Sequence, residues 1–209
     1  MIIAFSGIDG SGKTTAAEFV LDYLRKRNIT AEYSHIIRDS FYHKILHKVI
    51  GKVSKNAQRS LEENLRKKKG GISIFISKCM KKMVLFINLL CFNLQYHRYK
   101  NNIQHNIVTD RYFYDDIVQG VYLGIMRKGF LVMFKKCIIQ PDIVFFLRSE
   151  PALAYDRKRE YDKEYFIVKS VLYDDMYRAV PNVRIAEGSM DNIKGVVKNY
   201  LEKAIGKYV

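Results

Sequence analysis

A glycine-rich segment near the start of the chain constrains the fold more than any other part of the sequence. Residues 7–15 read GIDGSGKTT, which fits the pattern of a glycine, four residues, a second glycine, a lysine and a serine or threonine. The six residues before it, MIIAFS, form a short apolar run typical of a buried parallel strand. Residues 16–27 carry apolar side chains at helical spacing. The sequence therefore predicts a strand, a phosphate-binding loop and a helix in succession.

The residues of this loop suit the phosphates of a nucleoside triphosphate. Its glycines let the backbone turn several N–H groups towards an anion, and the helix that begins near Lys13 adds its positive dipole end. Lys13 is expected to reach the β- and γ-phosphates, and the Thr14 hydroxyl to hold Mg²⁺. A glycine-rich turn without a ligand is the alternative. The predicted nucleotide-binding residues are Gly7, Asp9, Gly10, Ser11, Gly12, Lys13, Thr14 and Thr15.

Length and composition fit one globular domain. The chain has 209 residues, of which 48% are hydrophobic and 27% charged, so residues 1–209 are expected to form a single α/β domain. Cys79, Cys91 and Cys137 have neither disulfide nor metal-site spacing, which fits the reducing cytoplasm. The first residues lack the basic region of a signal peptide and are expected to form the first strand.

The net charge of +15 is concentrated in one segment. Residues 43–100 hold fourteen Lys or Arg against Glu62 and Glu63, a net +12. Such a segment binds nucleic acid or an acidic membrane surface, or is simply a solvated face. No nucleic-acid-binding motif accompanies it, so no nucleic acid partner is expected.

Residues 72–100 contain a second helical stretch. Its most apolar part, residues 83–92, is too short to cross a bilayer, which needs about 20 apolar residues. No transmembrane segment is therefore expected. A buried or dimer-forming helix is predicted, and a membrane-surface helix is the alternative.

Later segments complete an alternation of strands and helices. Strands are predicted at residues 31–37, 106–110, 143–147 and 182–186, and Asp191 is expected to cap the last helix. With the first strand they make a five-stranded parallel sheet covered by helices on both faces, a three-layer α/β fold of the P-loop NTPase type.

Three charged residues follow predicted strands. Arg38 follows the second strand, where a basic side chain points into the ligand crevice, although a surface loop arginine is equally consistent. Asp110 ends the third strand, as expected of the carboxylate that meets Mg²⁺ in a phosphate-loop protein. Arg111 beside it can pair with a phosphate through two hydrogen bonds. An ion pair between neighbours is the alternative for Asp110 and Arg111.

Residues 155–165 combine many charges with few apolar side chains. The run Arg157, Lys158 and Arg159 lies within them. We expect either a short lid whose cations close over the transferring phosphate or an ordinary solvated loop.

With these motifs the chain resembles the thymidylate kinase family of nucleoside monophosphate kinases. Four features occur in the family's order: GIDGSGKTT at 7–15, Asp-Arg-Tyr at 110–112, Gln-Pro-Asp at 140–142 with the IVFFL strand, and the basic run at 157–159. The resemblance implies transfer of the ATP γ-phosphate, with Mg²⁺, to dTMP to give dTDP, in a homodimer.

The resemblance also implies individual roles. Asp9 would contact the sugar 3′-hydroxyl of the monophosphate, and Arg38 and Arg111 would hold its phosphate. Phe92 would stack on the base. Family members with a glycine at the position of Gly10 take their catalytic arginine from the lid. The implied catalytic residues are thus Lys13, Arg111, Arg157 and Arg159, with Thr14 and Asp110 at the metal.

The chain departs from the family pattern where the base is read. Asp115 stands where the family has a serine, and Ile117-Val118-Gln119 replaces its Ala-Tyr-Gln stretch. After Phe92 the nearest cation is Arg98, and no proline follows the second strand. A related kinase for another phosphorylated or hydroxyl acceptor therefore stays open. So does a non-catalytic ATP-binding protein recruited to an acidic surface, although intact Lys13 and Asp110 argue against it.

Overall fold

Strands and helices alternate through the part of the chain that the computed structural model describes. This part comprises residues 1–34, 79, 82–83, 86–87, 89–94, 96–97, 106–124, 126–127, 129, 137–180 and 183–205. The strands are β1 (Ile2–Gly7), β2 (Ala31–Tyr33), β3 (Asn106–Thr109), β4 (Ile143–Arg148) and β5 (Val183–Glu187). The helices are α1 (Lys13–Arg25), α2 (Phe113–Tyr122), α3 (Pro151–Arg157), α4 (Lys163–Ala179) and α5 (Met190–Ile205).

All five strands run parallel in one sheet with the order β2-β3-β1-β4-β5. β1 lies at the centre, between β3 and β4, so its carboxyl end emerges where the neighbouring connections diverge. In open α/β sheets, ligands bind in this crevice beyond the carboxyl ends of the strands. The sheet confirms the predicted fold and puts the predicted phosphate-binding loop at its centre.

Both faces of the sheet are buried. One core combines Ile2, Ala4 and Phe146 with residues of α2 and α4. The other combines Ile3 and Phe5 with residues of α1 and α5. A strand buried on both faces must be apolar at nearly every position, which is why β1 and β4 read as continuous apolar runs.

Several element boundaries differ from those predicted. β2 ends at Tyr33, before the described Ser34, and residues 35–37 of the predicted strand lie outside the described residues. α5 begins at Met190, and the Ser189 hydroxyl accepts a hydrogen bond from the Asn192 N–H at 3.3 Å. Asp191 therefore lies in the first turn of α5 and is not its cap, because Ser189 already occupies the capping position.

The apolar stretch at residues 83–92 has both buried and exposed side chains at its described positions. Leu89 and Phe92 are buried in the core, whereas Met83, Phe86 and Leu90 are exposed. In the described residues, no helix is both long enough and apolar enough to cross a membrane.

Candidate active site

The loop between β1 and α1 depends on glycine at two positions. Gly10 and Gly12 have φ angles of 82° and 88°, in the left-handed region that side chains disfavour. A Cβ atom on Gly10 would also lie 2.8 Å from the backbone oxygen of Ala154 in α3. The loop thus packs directly against α3, the helix that leads into the basic run at 157–159.

Lys13 folds back onto the start of the loop. Its ammonium donates hydrogen bonds to the backbone oxygens of Gly7 at 2.7 Å and Ile8 at 2.8 Å, and it lies 3.9 Å from Asp9 Oδ1. The side chain is only 7% exposed, and this burial lowers the pKa of Lys13. The cation is therefore held inside the loop at the N-terminal end of α1.

Thr14 and Asp110 meet at the carboxyl edge of the sheet. The Thr14 hydroxyl donates a hydrogen bond of 2.8 Å to Asp110 Oδ2, joining the first turn of α1 to the end of β3. Hydroxyl and carboxylate oxygens are the ligands that Mg²⁺ takes, and it often binds through one or two side chains together with substrate phosphates. The described residues contain no group of three or more metal-binding side chains. A pair of oxygens beside the loop therefore fits Mg²⁺ bound together with a nucleotide.

Asp9 links the loop to two other elements. Arg111 donates a hydrogen bond of 2.8 Å to Asp9 Oδ1, and the Tyr165 hydroxyl of α4 donates one of 3.0 Å to Oδ2. Burial alone would raise the pKa of Asp9, but Lys13 and Arg111 outweigh it and lower the pKa. Asp9 is therefore an oriented carboxylate, 16% exposed, at the mouth of the loop.

Asp115 holds three donors from three elements. Its Oδ2 accepts hydrogen bonds from the Ser6 hydroxyl and the Tyr112 N–H, both at 3.0 Å, and its Oδ1 accepts one from the Tyr173 hydroxyl at 2.6 Å. The sequence identified Asp115 only as a departure from the family. In the fold it fastens β1, α2 and α4 together directly behind the phosphate loop.

Two further charged residues near the loop were missed by the sequence reasoning. Lys169 of α4 is 5% exposed, and its ammonium lies 4.9 Å from the centre of the Tyr165 ring. Burial lowers the pKa of Lys169 to about 8, against the opposing effect of Asp9 and Asp115. Burial also raises the pKa of Asp116 in α2 to about 7, with the charge of Asp115 adding to it.

A signal for Lys169 was present in the sequence. Tyr165, Lys169 and Tyr173 recur at intervals of four, which puts them on one face of a helix. All three are buried, and that face of α4 is directed at Asp9 and Asp115. Two tyrosines flanking a lysine at this spacing indicate a polar buried helix face.

The remaining predicted site residues lie in different places. Arg157 donates a hydrogen bond of 3.2 Å to the backbone oxygen of Gly10 and so reaches the loop. Arg159 is exposed in the turn after α3, and no hydrogen bond or ion pair within the described residues joins it to the loop. Phe92 is buried, packed edge-on against Tyr112 with ring centres 4.8 Å apart. Its stacking on a base stays a prediction, and Arg38 lies outside the described residues.

Comparison with known proteins agrees with the motifs. No protein-family model matches the chain. A curated relative described as a probable thymidylate kinase, from Archaeoglobus fulgidus, is 27% identical over 165 residues, which cover 78% of this chain and 71% of the relative. The chain resembles thymidylate kinases. This confirms the resemblance drawn from the loop, the Asp-Arg-Tyr triplet and the strand that follows Gln-Pro-Asp.

Solved structures show the fold. Structures of the deoxyadenosine kinase from M. mycoides with bound dATP and with bound dCTP match with TM-scores of 0.54 and 0.51. Each is 16% identical in sequence, and each match covers 97% of this chain and 100% of the other. The chain therefore shares the fold of these structures, a parallel sheet with helices on both faces.

Proposed function

We propose that the protein transfers the γ-phosphoryl group of ATP to dTMP, giving ADP and dTDP. The observation that carries this proposal is the meeting of three sequence motifs at one edge of the sheet. Within the loop, Lys13 contacts Asp9 and donates a hydrogen bond to the Gly7 oxygen. Two cations from other segments also reach the loop: Arg111, after β3, binds Asp9, and Arg157, after β4, donates to the Gly10 oxygen. Their chemistry is what phosphoryl transfer requires, namely several cations and an oriented carboxylate.

Lys13, Thr14 and Asp110 form the ATP side of the proposed site. The backbone N–H groups of the loop and the N-terminus of α1 would hold the phosphates, together with Ser11, Gly12 and Thr15. The oxygens of Thr14 and Asp110 would hold Mg²⁺, which neutralises phosphate charge when it is bound. Lys13 would exchange its contacts with Gly7 and Ile8 for phosphate oxygens.

Asp9 and Arg111 form the acceptor side. Their hydrogen bond of 2.8 Å fixes the guanidinium beside the loop, where it would hold the monophosphate. Asp9 would accept a hydrogen bond from the sugar 3′-hydroxyl. Arg38 would hold the same phosphate, and Phe92 would lie near the base.

Lid cations would complete the site. Arg157 already contacts the Gly10 oxygen, and Arg159 lies two residues further along. Either guanidinium would stabilise the charge on the transferring phosphoryl group. The side chains position the two phosphates and neutralise their charge, and no covalent intermediate with the protein is needed.

A kinase for a different acceptor is the second candidate. It is favoured by Asp115, because a buried carboxylate with three donors occupies the place of the family's serine. It is also favoured by Ile117 and Val118, which stand where the family has alanine and tyrosine.

The phosphate-loop residues argue against the third candidate, a non-catalytic ATP-binding protein.

We also propose that residues 1–209 form one domain, that the protein is cytoplasmic, and that it dimerises through residues 83–92. Light scattering on the purified protein tests the dimer.

The assignment of Arg111 is tested by steady-state kinetics. Arg111→Ala should raise KM for dTMP about 10- to 100-fold while changing KM for ATP less than about 3-fold, because a hydrogen-bonded charge pair contributes about 1.5–3 kcal/mol. Arg184→Ala is the matched control, because Arg184 lies on β5, where its guanidinium donates a hydrogen bond to the Tyr200 hydroxyl and lies over the Tyr200 ring. An equal rise in both KM values would contradict the division into an ATP side and an acceptor side.

A further inference from the structure

Lys169 is a buried cation without a hydrogen-bonding partner in the described part of the chain. Its side chain is 5% exposed, and its ammonium contacts the face of the Tyr165 ring. An ammonium taken out of water is costly unless it is paired or hydrogen-bonded. A ring face at 4.9 Å offsets only part of that cost.

The carboxylates that face Lys169 are already engaged. Asp9 accepts hydrogen bonds from Arg111 and Tyr165, one on each oxygen. Asp115 accepts from Ser6, Tyr112 and Tyr173. Lys13 of the loop and Arg111 after β3 repel the Lys169 ammonium electrostatically. Asp116 of α2 also lies within the electrostatic influence of Lys169.

Position makes Lys169 relevant to a ligand. Tyr165, on the same face of α4, donates to the carboxylate of Asp9 that Arg111 holds from the opposite side. Asp9 and Arg111 are partly exposed, so this side of the loop is open to a ligand. An anion placed beside Asp9 and Arg111 would lie within the field of both Arg111 and Lys169.

We propose that Lys169 is a further acceptor-binding residue, which together with Arg111 holds the phosphate of a phosphate-monoester substrate. This inference rests on the proposed kinase function and adds a residue to it: Lys169 binds the phosphate of the acceptor, which argues against a bare hydroxyl acceptor. A dianionic phosphate provides the oxygen acceptors that Lys169 lacks, and two cations suit its charge.

The inference is tested with Lys169→Gln and Lys169→Arg, using dTMP and thymidine as probes. Calorimetry should show dTMP binding weakened about 10- to 100-fold by Lys169→Gln, the effect of one charged hydrogen bond, and partly restored in Lys169→Arg. Thymidine and ADP binding should change less than about 2-fold. Lys194→Gln is the matched control, because Lys194 also lies over an aromatic ring, that of Phe19, but on α5.

The outcomes separate this inference from the proposed function. If the wild-type protein phosphorylates dTMP and Lys169→Gln leaves its KM and Kd for dTMP unchanged, the inference is overturned and the kinase function stands. If Lys169→Gln weakens dTMP, thymidine and ADP equally, Lys169 is structural and the inference is likewise overturned. If the wild-type protein phosphorylates thymidine but not dTMP, both proposals fail.

Discussion

Replacing Asp115 with alanine should destabilise the protein through three separate contacts. The substitution leaves the Ser6 hydroxyl, the Tyr112 N–H and the Tyr173 hydroxyl without their acceptor in a buried site. Each unsatisfied buried donor costs about 1–3 kcal/mol, so the lower end alone gives about 3 kcal/mol. With a urea m-value of about 1–3 kcal/mol/M, the midpoint of unfolding should fall by about 1–3 M.

Asp115→Asn is the informative companion variant. Its amide oxygen can still accept from Ser6 and Tyr112, and its amide nitrogen can donate to the Tyr173 hydroxyl, which is able to reverse its role. We expect a loss of about 1 kcal/mol, the size of one ordinary hydrogen bond. Asp22→Ala is the surface control, because Asp22 is exposed on α1 and pairs only with Arg25 among the described residues. An unchanged midpoint for Asp115→Ala would contradict the stabilising role of these three hydrogen bonds, as would an equal loss for both Asp115 variants.

Three further predictions concern the loop and its surroundings. Lys13→Ala should lower kcat by at least about 100-fold with the circular dichroism spectrum retained, because the phosphates lose a cation that acts in the transition state; normal turnover would show that the loop is misassigned. Gly10→Ala should lower Tm and weaken ADP binding, since a φ of 82° costs an L-residue about 1–2 kcal/mol and the new Cβ would meet the Ala154 oxygen at 2.8 Å; unchanged Tm and affinity would contradict the loop geometry. The pKa of Asp116 is raised from 3.8 to about 7, so the folded state binds its proton more tightly and stability falls as pH rises from about 4 to 7. Because asparagine cannot ionise, Asp116→Asn should be more stable than wild type at pH 8, by on the order of 4 kcal/mol in urea unfolding. At pH 4 the two proteins should differ little. A gain in stability that does not depend on pH would contradict the shifted pKa.

The parts of the site predicted from sequence are those whose geometry is local. The loop is a run of nine residues, and its glycines, its lysine and the flanking apolar segments determine strand, turn and helix together. Asp110 and Arg111 could be predicted because they directly follow a buried strand, and parallel strands end at one edge of a sheet.

The parts that were missed depend on contacts between distant segments. The bond between Tyr173 and Asp115 spans 58 residues and that between Tyr165 and Asp9 spans 156, and neither has a local pattern. The position of Lys169 depends on how α4 packs against α2 and the loop, which no stretch of sequence specifies. Only the spacing of Tyr165, Lys169 and Tyr173 pointed to a polar buried face.

Coupled ADP release decides whether this site transfers phosphate to nucleotides. The purified protein would be assayed with ATP and Mg²⁺ against dTMP, dUMP, UMP, CMP, AMP, GMP and thymidine. We expect turnover with a nucleoside monophosphate, highest with dTMP, and little with thymidine. Turnover highest with another monophosphate would retain the mechanism and replace the substrate. ATP binding without turnover on any acceptor would contradict the claim that this site transfers phosphate to nucleotides.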